Sequence, residues 1–133
     1  MITLKLFHVR YLPSELESGL LYFSEEYGIA GHLCPCGCGS KIITPIGPTD
    51  WSLEEKDGKA TLYPSIGNWQ IPCRSHYWII KGRIKWSYQF TDDQIRLGRR
   101  NEEERAIAYY KKLDNKRRKK TIFWRIVNSI FKK

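Results

Sequence analysis

Long apolar runs are missing from these 133 residues, and no stretch approaches the ~18–20 consecutive apolar residues of a transmembrane helix. A signal-peptide core is missing too. Met1-Ile2-Thr3-Leu4-Lys5 alternates like a strand, so the expectation is a cytoplasmic protein. There is no internal repeat or low-complexity tract, which leaves no repeat architecture to consider. Cysteine is scarce, at four residues, and the CxxC…CxxC spacing of common zinc modules is absent. Apolar residues as such are not scarce: 41% hydrophobic and 14% aromatic content excludes a wholly disordered chain. The length suits one domain with an extension, large enough for a modest core that a metal staple would help.

Three of the four cysteines crowd into Cys34-Pro35-Cys36-Gly37-Cys38-Gly39, and the fourth stands alone at Cys73. Thiolates two residues apart can converge on one soft cation if the backbone bends sharply, and Pro35, Gly37 and Gly39 favour such a bend. Cys73, arriving from a later hairpin, would complete the tetrahedron that Zn²⁺ favours. A disulfide between Cys34 and Cys36 or between Cys36 and Cys38 would strain the bond geometry. The expectation is one zinc on Cys34, Cys36, Cys38 and Cys73, in a reducing compartment where clustered thiols bind metals more often than they pair. Reduced buried cysteines or a redox pair are the alternatives, and His32 or His76 could replace one thiol.

The rest of the first 90 residues reads as short strands joined by Gly, Pro and Asp turns, a mainly β, small antiparallel domain. Strands are expected within Thr3–Tyr11 and over Leu20–Ser24, Ile29–Leu33, Lys41–Ile46, Trp51–Leu53, Ala60–Tyr63, Trp69–Ile71, Tyr77–Ile80 and Arg83–Tyr88. The cysteine knuckle falls at the tip of the hairpin from Ile29 to Ile46, and Asp57-Gly58 is a strong turn signal. Trp51, Trp69, Trp78 and Trp86 are expected in the core. After Thr91 the chain changes character into an α-helical extension, 91–133. Thr91 and Gln94 have capping-box spacing, Asn101–Leu113 is rich in helix formers, and Ile122–Phe131 reads as a second short amphipathic segment. The division is therefore a zinc-stapled β domain, 1–90, and a basic extension, 91–133.

That extension owns the charge. From Arg96 onward lie fourteen of the 23 basic residues against four acids, a net of +10 within a chain of net +9. The β domain is close to neutral, so the basicity says nothing about the cysteine site.

Several residues near the cysteines could do chemistry. His32 lies two positions before Cys34 and shares its face in an extended strand. Ser75 and His76 follow Cys73 directly, but adjacent strand residues point to opposite faces and are not automatically a pair. Ser65 follows Pro64 and could come across a hairpin. Asp50 could orient a histidine, or merely close an Asx turn, and both serines could be turn hydroxyls.

The motifs His32-Leu33-Cys34-Pro35-Cys36-Gly37-Cys38-Gly39, Pro48-Thr49-Asp50-Trp51, Pro64-Ser65-Ile66-Gly67-Asn68-Trp69 and Cys73-Arg74-Ser75-His76-Tyr77-Trp78-Ile79 occur in this order. Together they resemble the bacterial family called DUF6527 over about residues 1–88. The resemblance implies a setting beside genes for ubiquitin-like proteins with E1- and E2-like enzymes. It further implies a peptidase that trims a ubiquitin-like precursor or removes the modifier from conjugates. The family pattern falls on His32, Cys34, Cys36, Cys38, Ser65, Cys73, Ser75 and His76.

The expected function is a serine-type peptidase or isopeptidase, with Ser75 or Ser65 attacking and His76 or His32 as base, beside a structural Zn²⁺. Four thiolates argue against a catalytic metal, because their charge quenches its Lewis acidity. The alternative is a non-catalytic, zinc-stapled adaptor that binds a modifier or another protein along a strand edge. For residues 116–133 the expected partner is an anionic membrane surface or an acidic protein. A specific nucleic-acid ligand is not expected, since a free basic arm has no readout code.

Overall fold

The computed structural model describes residues 2–131, the last of these by its backbone alone. Lys132, Lys133 and the Phe131 side chain, counted above in the basic and apolar parts of the tail, lie outside the described residues. Two compact units divide between Thr91 and Asp92.

The first unit is built from two four-stranded sheets. One holds β1 (Lys5–His8), β2 (Leu20–Ser24), β3 (Ile29–Leu33) and β4 (Lys41–Pro45), in that order. The other holds β5 (Ser52–Lys56), β6 (Lys59–Gly67), β7 (His76–Ile80) and β8 (Arg83–Trp86), also in order. The fold is mainly β, as expected. One pair departs from the antiparallel expectation: β1 runs parallel to β2, because the chain crosses back through residues 9–19 instead of turning tightly.

Turn chemistry sets the register of the second sheet. Lys56 pairs with Lys59 and Ile80 with Arg83, so two-residue loops join β5 to β6 and β7 to β8. Such loops match the strand twist as type I′ turns when both central residues take positive φ. Asp57 and Gly58 do so at 54° and 72°, and Lys81 and Gly82 at 49° and 77°.

The inward faces of both sheets make one core. Leu4, Leu21, Ala30, Cys34 and Ile42 from the first strand set pack with Ala60, Leu62, Ile66, Tyr77, Ile79 and Ile84 from the second. The tryptophans are not its centre: Trp51 only packs against it partly buried, and Trp86 is 49% exposed. Leu, Ile and Tyr77 fill the interior because their shapes fit between two closely spaced pleated faces, whereas indoles are rarely buried whole.

β6 is longer than expected and irregular. Leu62 pairs with Ile79 but Ile66 pairs with Tyr77, so two extra residues are accommodated on β6. Pro64 within this bulge has no N–H for the ladder. An insertion of two keeps Ala60, Leu62 and Ile66 on the inner face while re-aiming Tyr63, Pro64 and Ser65. The strand expected over Trp69–Ile71 is instead part of a closed loop. Asn68 N–H donates to the Ser75 carbonyl (2.8 Å) and Arg74 N–H to the Ile71 carbonyl (3.1 Å), with Arg74 at φ 46°.

The second unit is a single helix, α1 (Asp92–Phe131), of 40 residues. The two segments expected there are continuous. No glycine or proline interrupts residues 99–131, and Lys and Arg propagate a helix almost as well as alanine. Among the described residues no helix is long and apolar enough to cross a membrane.

Leu21 is fully buried in β2 and touches the common core. Leu21→Ala is expected to destabilise the chain by about 2–5 kcal/mol, read as a lower urea midpoint at unchanged slope. A shift within error would show that the two sheets do not share one cooperative core.

Candidate active site and metal centre

The hairpin β3–β4 carries the cysteine knuckle at its tip, as the motif suggested. Leu33 pairs with Lys41 at its base, Cys34 N–H donates to the Ser40 carbonyl (2.8 Å), and Gly37 N–H folds back onto the Cys34 carbonyl (3.1 Å). Gly37 and Gly39 sit at φ 89° and 81°, a region that β-carbons resist, so the tight knuckle requires both glycines. The loop 68–75 delivers Cys73 from the other sheet.

All four sulfurs lie within 4.8 Å of one another. Cys34 Sγ is 3.4 Å from Cys36 Sγ and 3.8 Å from Cys73 Sγ, and Cys38 Sγ is 3.8 Å from Cys73 Sγ. None is in a disulfide. Four sulfurs converging from two loops can hold one soft metal ion. No histidine joins the cluster.

Hydrogen-bond donors surround the sulfurs. Ser75 Oγ lies 3.1 Å from Cys34 Sγ and 2.9 Å from Cys73 Sγ, and Asn68 Nδ2 reaches Cys34 Sγ at 3.9 Å. Ser40, through its hydroxyl and its backbone N–H, lowers the Cys38 thiol to about 6, whereas burial raises Cys34. Four thiolates around a dication carry a net charge of −2, and such donors offset part of it.

Ser75 is therefore turned to the sulfurs. The neighbouring His76 is turned the other way, as the two-residue period of a strand requires. Its Nε2 is 2.7 Å from Ser65 Oγ and its Nδ1 is 2.6 Å from the Tyr88 carbonyl. A carbonyl can only accept, so Nδ1 carries the proton and Nε2 is free to accept from the Ser65 hydroxyl. Of the two candidate serines, Ser65 is the one paired with a histidine. The bulge in β6 is what aims it there.

Gly67 stands directly opposite His76 in the ladder. A β-carbon at Gly67 would fall 2.4 Å from the Trp69 indole nitrogen, so the bare glycine lets that ring lie against the strand. Trp69 then meets the His76 ring edge-on at 5.1 Å. Phe90 stacks on Trp69 at 5.3 Å and approaches His76 at 4.7 Å. Tyr88 closes the group at 6.2 Å from His76. His76 is 5% exposed and its imidazole is walled by aromatic rings, which fixes its orientation toward Ser65.

His32 stands elsewhere. It is fully buried on β3, with Nε2 2.6 Å from Tyr77 Oη, and its Nδ1 has no hydrogen-bond partner among the described residues. Burial lowers its imidazole to about 4 and pushes the Tyr77 phenol above its ordinary value. The phenol also accepts from Asn68 Nδ2 at 3.3 Å. His32–Tyr77–Asn68–Cys34 is thus a polar thread linking the two sheets to the cysteine cluster, apart from Ser65 and His76. Asp50 closes a turn with its N–H on the Gly47 carbonyl (3.1 Å), and the third partner of the histidine is the Tyr88 carbonyl.

Residue types could not reveal that partner, because a backbone carbonyl leaves no mark on a sequence. Asn68 was hidden inside an apparent turn. The Ser65-Ile66-Gly67-Asn68-Trp69 spacing carried the one available signal, a glycine two residues from both the serine and an indole.

In Gly67→Ala the Trp69 ring must leave its seat, and the ring-current shifts on the His76 imidazole protons are expected to collapse in the NMR spectrum. Unchanged shifts would show that the indole does not depend on the glycine.

Neither the curated proteins nor the solved structures contain a match to this chain. A family model does match, over residues 8–87, under the description "Bacterial ubiquitination-like system serine protease (BubE)". This bears out a bacterial ubiquitination-like system and a serine protease at the level of the family, and it does not extend to the label DUF6527. The matched segment holds both serines, all four cysteines and His76, and it covers more than half of the sequence. The chain belongs to the family of bacterial ubiquitination-like system serine proteases, BubE.

Proposed function

We infer that this protein is a serine peptidase or isopeptidase that cleaves after the C-terminus of a ubiquitin-like modifier, with Ser65 as nucleophile and His76 as general base. The observation that carries the reading is the 2.7 Å contact of Ser65 Oγ with an imidazole whose far nitrogen is held by the Tyr88 carbonyl. Family membership supports the reaction class and the setting. The substrates in this reading are a modifier precursor or a modifier conjugate, and the partners are those of the E1- and E2-like conjugation route.

In the proposed reaction Ser65 Oγ bonds to the scissile carbonyl carbon as its proton moves to His76 Nε2. The C–N bond then breaks, and the leaving amine takes that proton. Water adds to the acyl group with His76 again accepting a proton. The bond between the acyl carbon and Ser65 Oγ breaks, the acid leaves, and the hydroxyl recovers its proton from Nε2. The Tyr88 carbonyl keeps the imidazole in the productive tautomer throughout. As a dipole it stabilises the imidazolium less than a carboxylate would. The walls formed by Trp69, Tyr88 and Phe90 restrict the ring and exclude water from one side of it.

We assign Zn²⁺ to Cys34, Cys36, Cys38 and Cys73. Sulfurs about 2.3 Å from a zinc ion stand about 3.8 Å apart in a regular tetrahedron, against the observed 3.4–3.8 Å for three of the pairs. A zinc closed by four thiolates has no open position and supplies structure, not a reacting group. Ser75, beside two of those sulfurs, serves the metal in this reading, and His32 serves the buried polar thread.

Ser65→Ala and His76→Ala are each expected to lower kcat/KM for cleavage of the modifier precursor by about 10³-fold or more. Ser75→Ala should stay within about tenfold of the parent. Full activity in Ser65→Ala, or complete loss in a folded, zinc-loaded Ser75→Ala, would reverse the assignment of the two serines.

Elemental analysis should find one zinc per chain, and chelation should lower the melting temperature of the β unit, because the ion's binding energy is folding energy. Ser75→Ala should weaken zinc affinity about 10- to 100-fold in a chelator competition. Metal-free protein with an undiminished melting temperature would contradict the staple.

A further inference from the structure

The last third of α1 is unused by the chemistry above. Lys116, Arg117, Arg118, Lys119 and Lys120 form an unbroken basic run, Arg125 follows, and no acid occurs from Asn115 onward. Arg118 is engaged by Asp114 at 3.5 Å, an exposed i, i+4 pair. Directly after the run, Ile122, Phe123, Trp124, Ile126 and Ile130 are each more than half exposed.

The spacing organises these side chains. Ile122, Ile126 and Ile130 recur every four residues, and Phe123 and Val127 repeat the interval one position over. Trp124 extends the same band, so the apolar side covers roughly half of the helix circumference. Thr121, Arg125, Asn128 and Ser129 fall on the opposite side. A single helix offers no second element of its own unit to cover the band. Its breadth exceeds a coiled-coil seam, which needs only a narrow stripe.

We propose that residues 116–131 of α1 form an in-plane membrane anchor that seats this protease on anionic phospholipid. The charge is complementary to such a surface, and within α1 the run has one acid beside it, Asp114, while Glu102, Glu103 and Glu104 lie about three turns away toward the N-terminus. Isoleucine, phenylalanine and tryptophan opposite a polar strip are the composition of helices that lie at the boundary of headgroups and acyl chains. The band also decides between two polyanions. Phosphate contacts alone would bind nucleic acid through the basic run and leave five large apolar side chains in water. A bilayer interface accepts both halves. The helix is not apolar enough to cross the bilayer, which agrees with a shallow seat.

The test is flotation of the full chain with vesicles of phosphatidylcholine alone or mixed with an equal part of phosphatidylglycerol. Binding should be at least tenfold tighter to the anionic vesicles. It should fall steeply when salt rises from about 0.1 to 1 M, as the screening length shrinks from about 10 to 3 Å. Neutralising Lys119→Gln should cost about fivefold, and Lys120→Gln about the same. Ile126→Glu should abolish flotation while leaving the melting temperature, zinc content and cleavage of a soluble precursor unchanged.

Three results would each overturn the proposal. One is no flotation with anionic vesicles. Another is a large loss of thermal stability in both Ile126→Glu and Trp124→Gln, which would mean that the band belongs to the chain's own core. The third is binding to a DNA duplex that persists in Ile126→Glu while vesicle binding is absent in the parent.

Discussion

Convergence of four sulfurs from two loops is the constraint on which the rest of the β unit depends. One loop closes a hairpin in the first sheet, and the other leads into β7 of the second. Thiols this close repel when ionised, and a cation would hold them together. Cys73 sits three residues before His76. Whatever fixes Cys73 also fixes the start of β7, and with it the position of the imidazole.

Strand β7 then sorts the chemistry by simple alternation. Ser75 and Tyr77 turn toward the sulfurs and His32, while His76 turns toward Ser65, Trp69 and Phe90. One extended segment thus separates a buried polar network from the Ser65–His76 pair without a layer of its own between them. The opposite strand does its part through irregularity. The bulge around Pro64 re-aims Ser65, and Gly67 clears the space that the indole takes. A regular β6 would have kept the inner face but sent the hydroxyl elsewhere.

Much of this was legible in residue types. β2 and β3 run over the residues expected from the sequence, and the knuckle sits at a hairpin tip because Pro35, Gly37 and Gly39 favour a tight reversal. The sulfur cluster followed from the same spacing. Four things were not legible. Which serine meets His76 depends on a bulge, and a bulge changes pairing without changing the alternating pattern around it. The partner of Nδ1 is a main-chain carbonyl. The sequence suggests two helical pieces because its apolar periodicity pauses over Lys116–Lys120, whereas the backbone continues wherever helix formers follow one another without a breaker. Trp69–Ile71 failed for the opposite reason: strand-forming residues were claimed by a loop tied shut at Asn68 and Ser75.

In the proposed account an ion holds two loops, the loops hold the imidazole, and the second unit supplies attachment. The most direct test of its centre is covalent trapping. The zinc-loaded full chain, active on a modifier precursor, is treated with a fluorophosphonate, digested and mapped by mass spectrometry. The account predicts a single phosphonylated residue, Ser65, with labelling blocked by excess precursor. A label on Ser75, or an active enzyme that is inhibited without modification of Ser65, would contradict it.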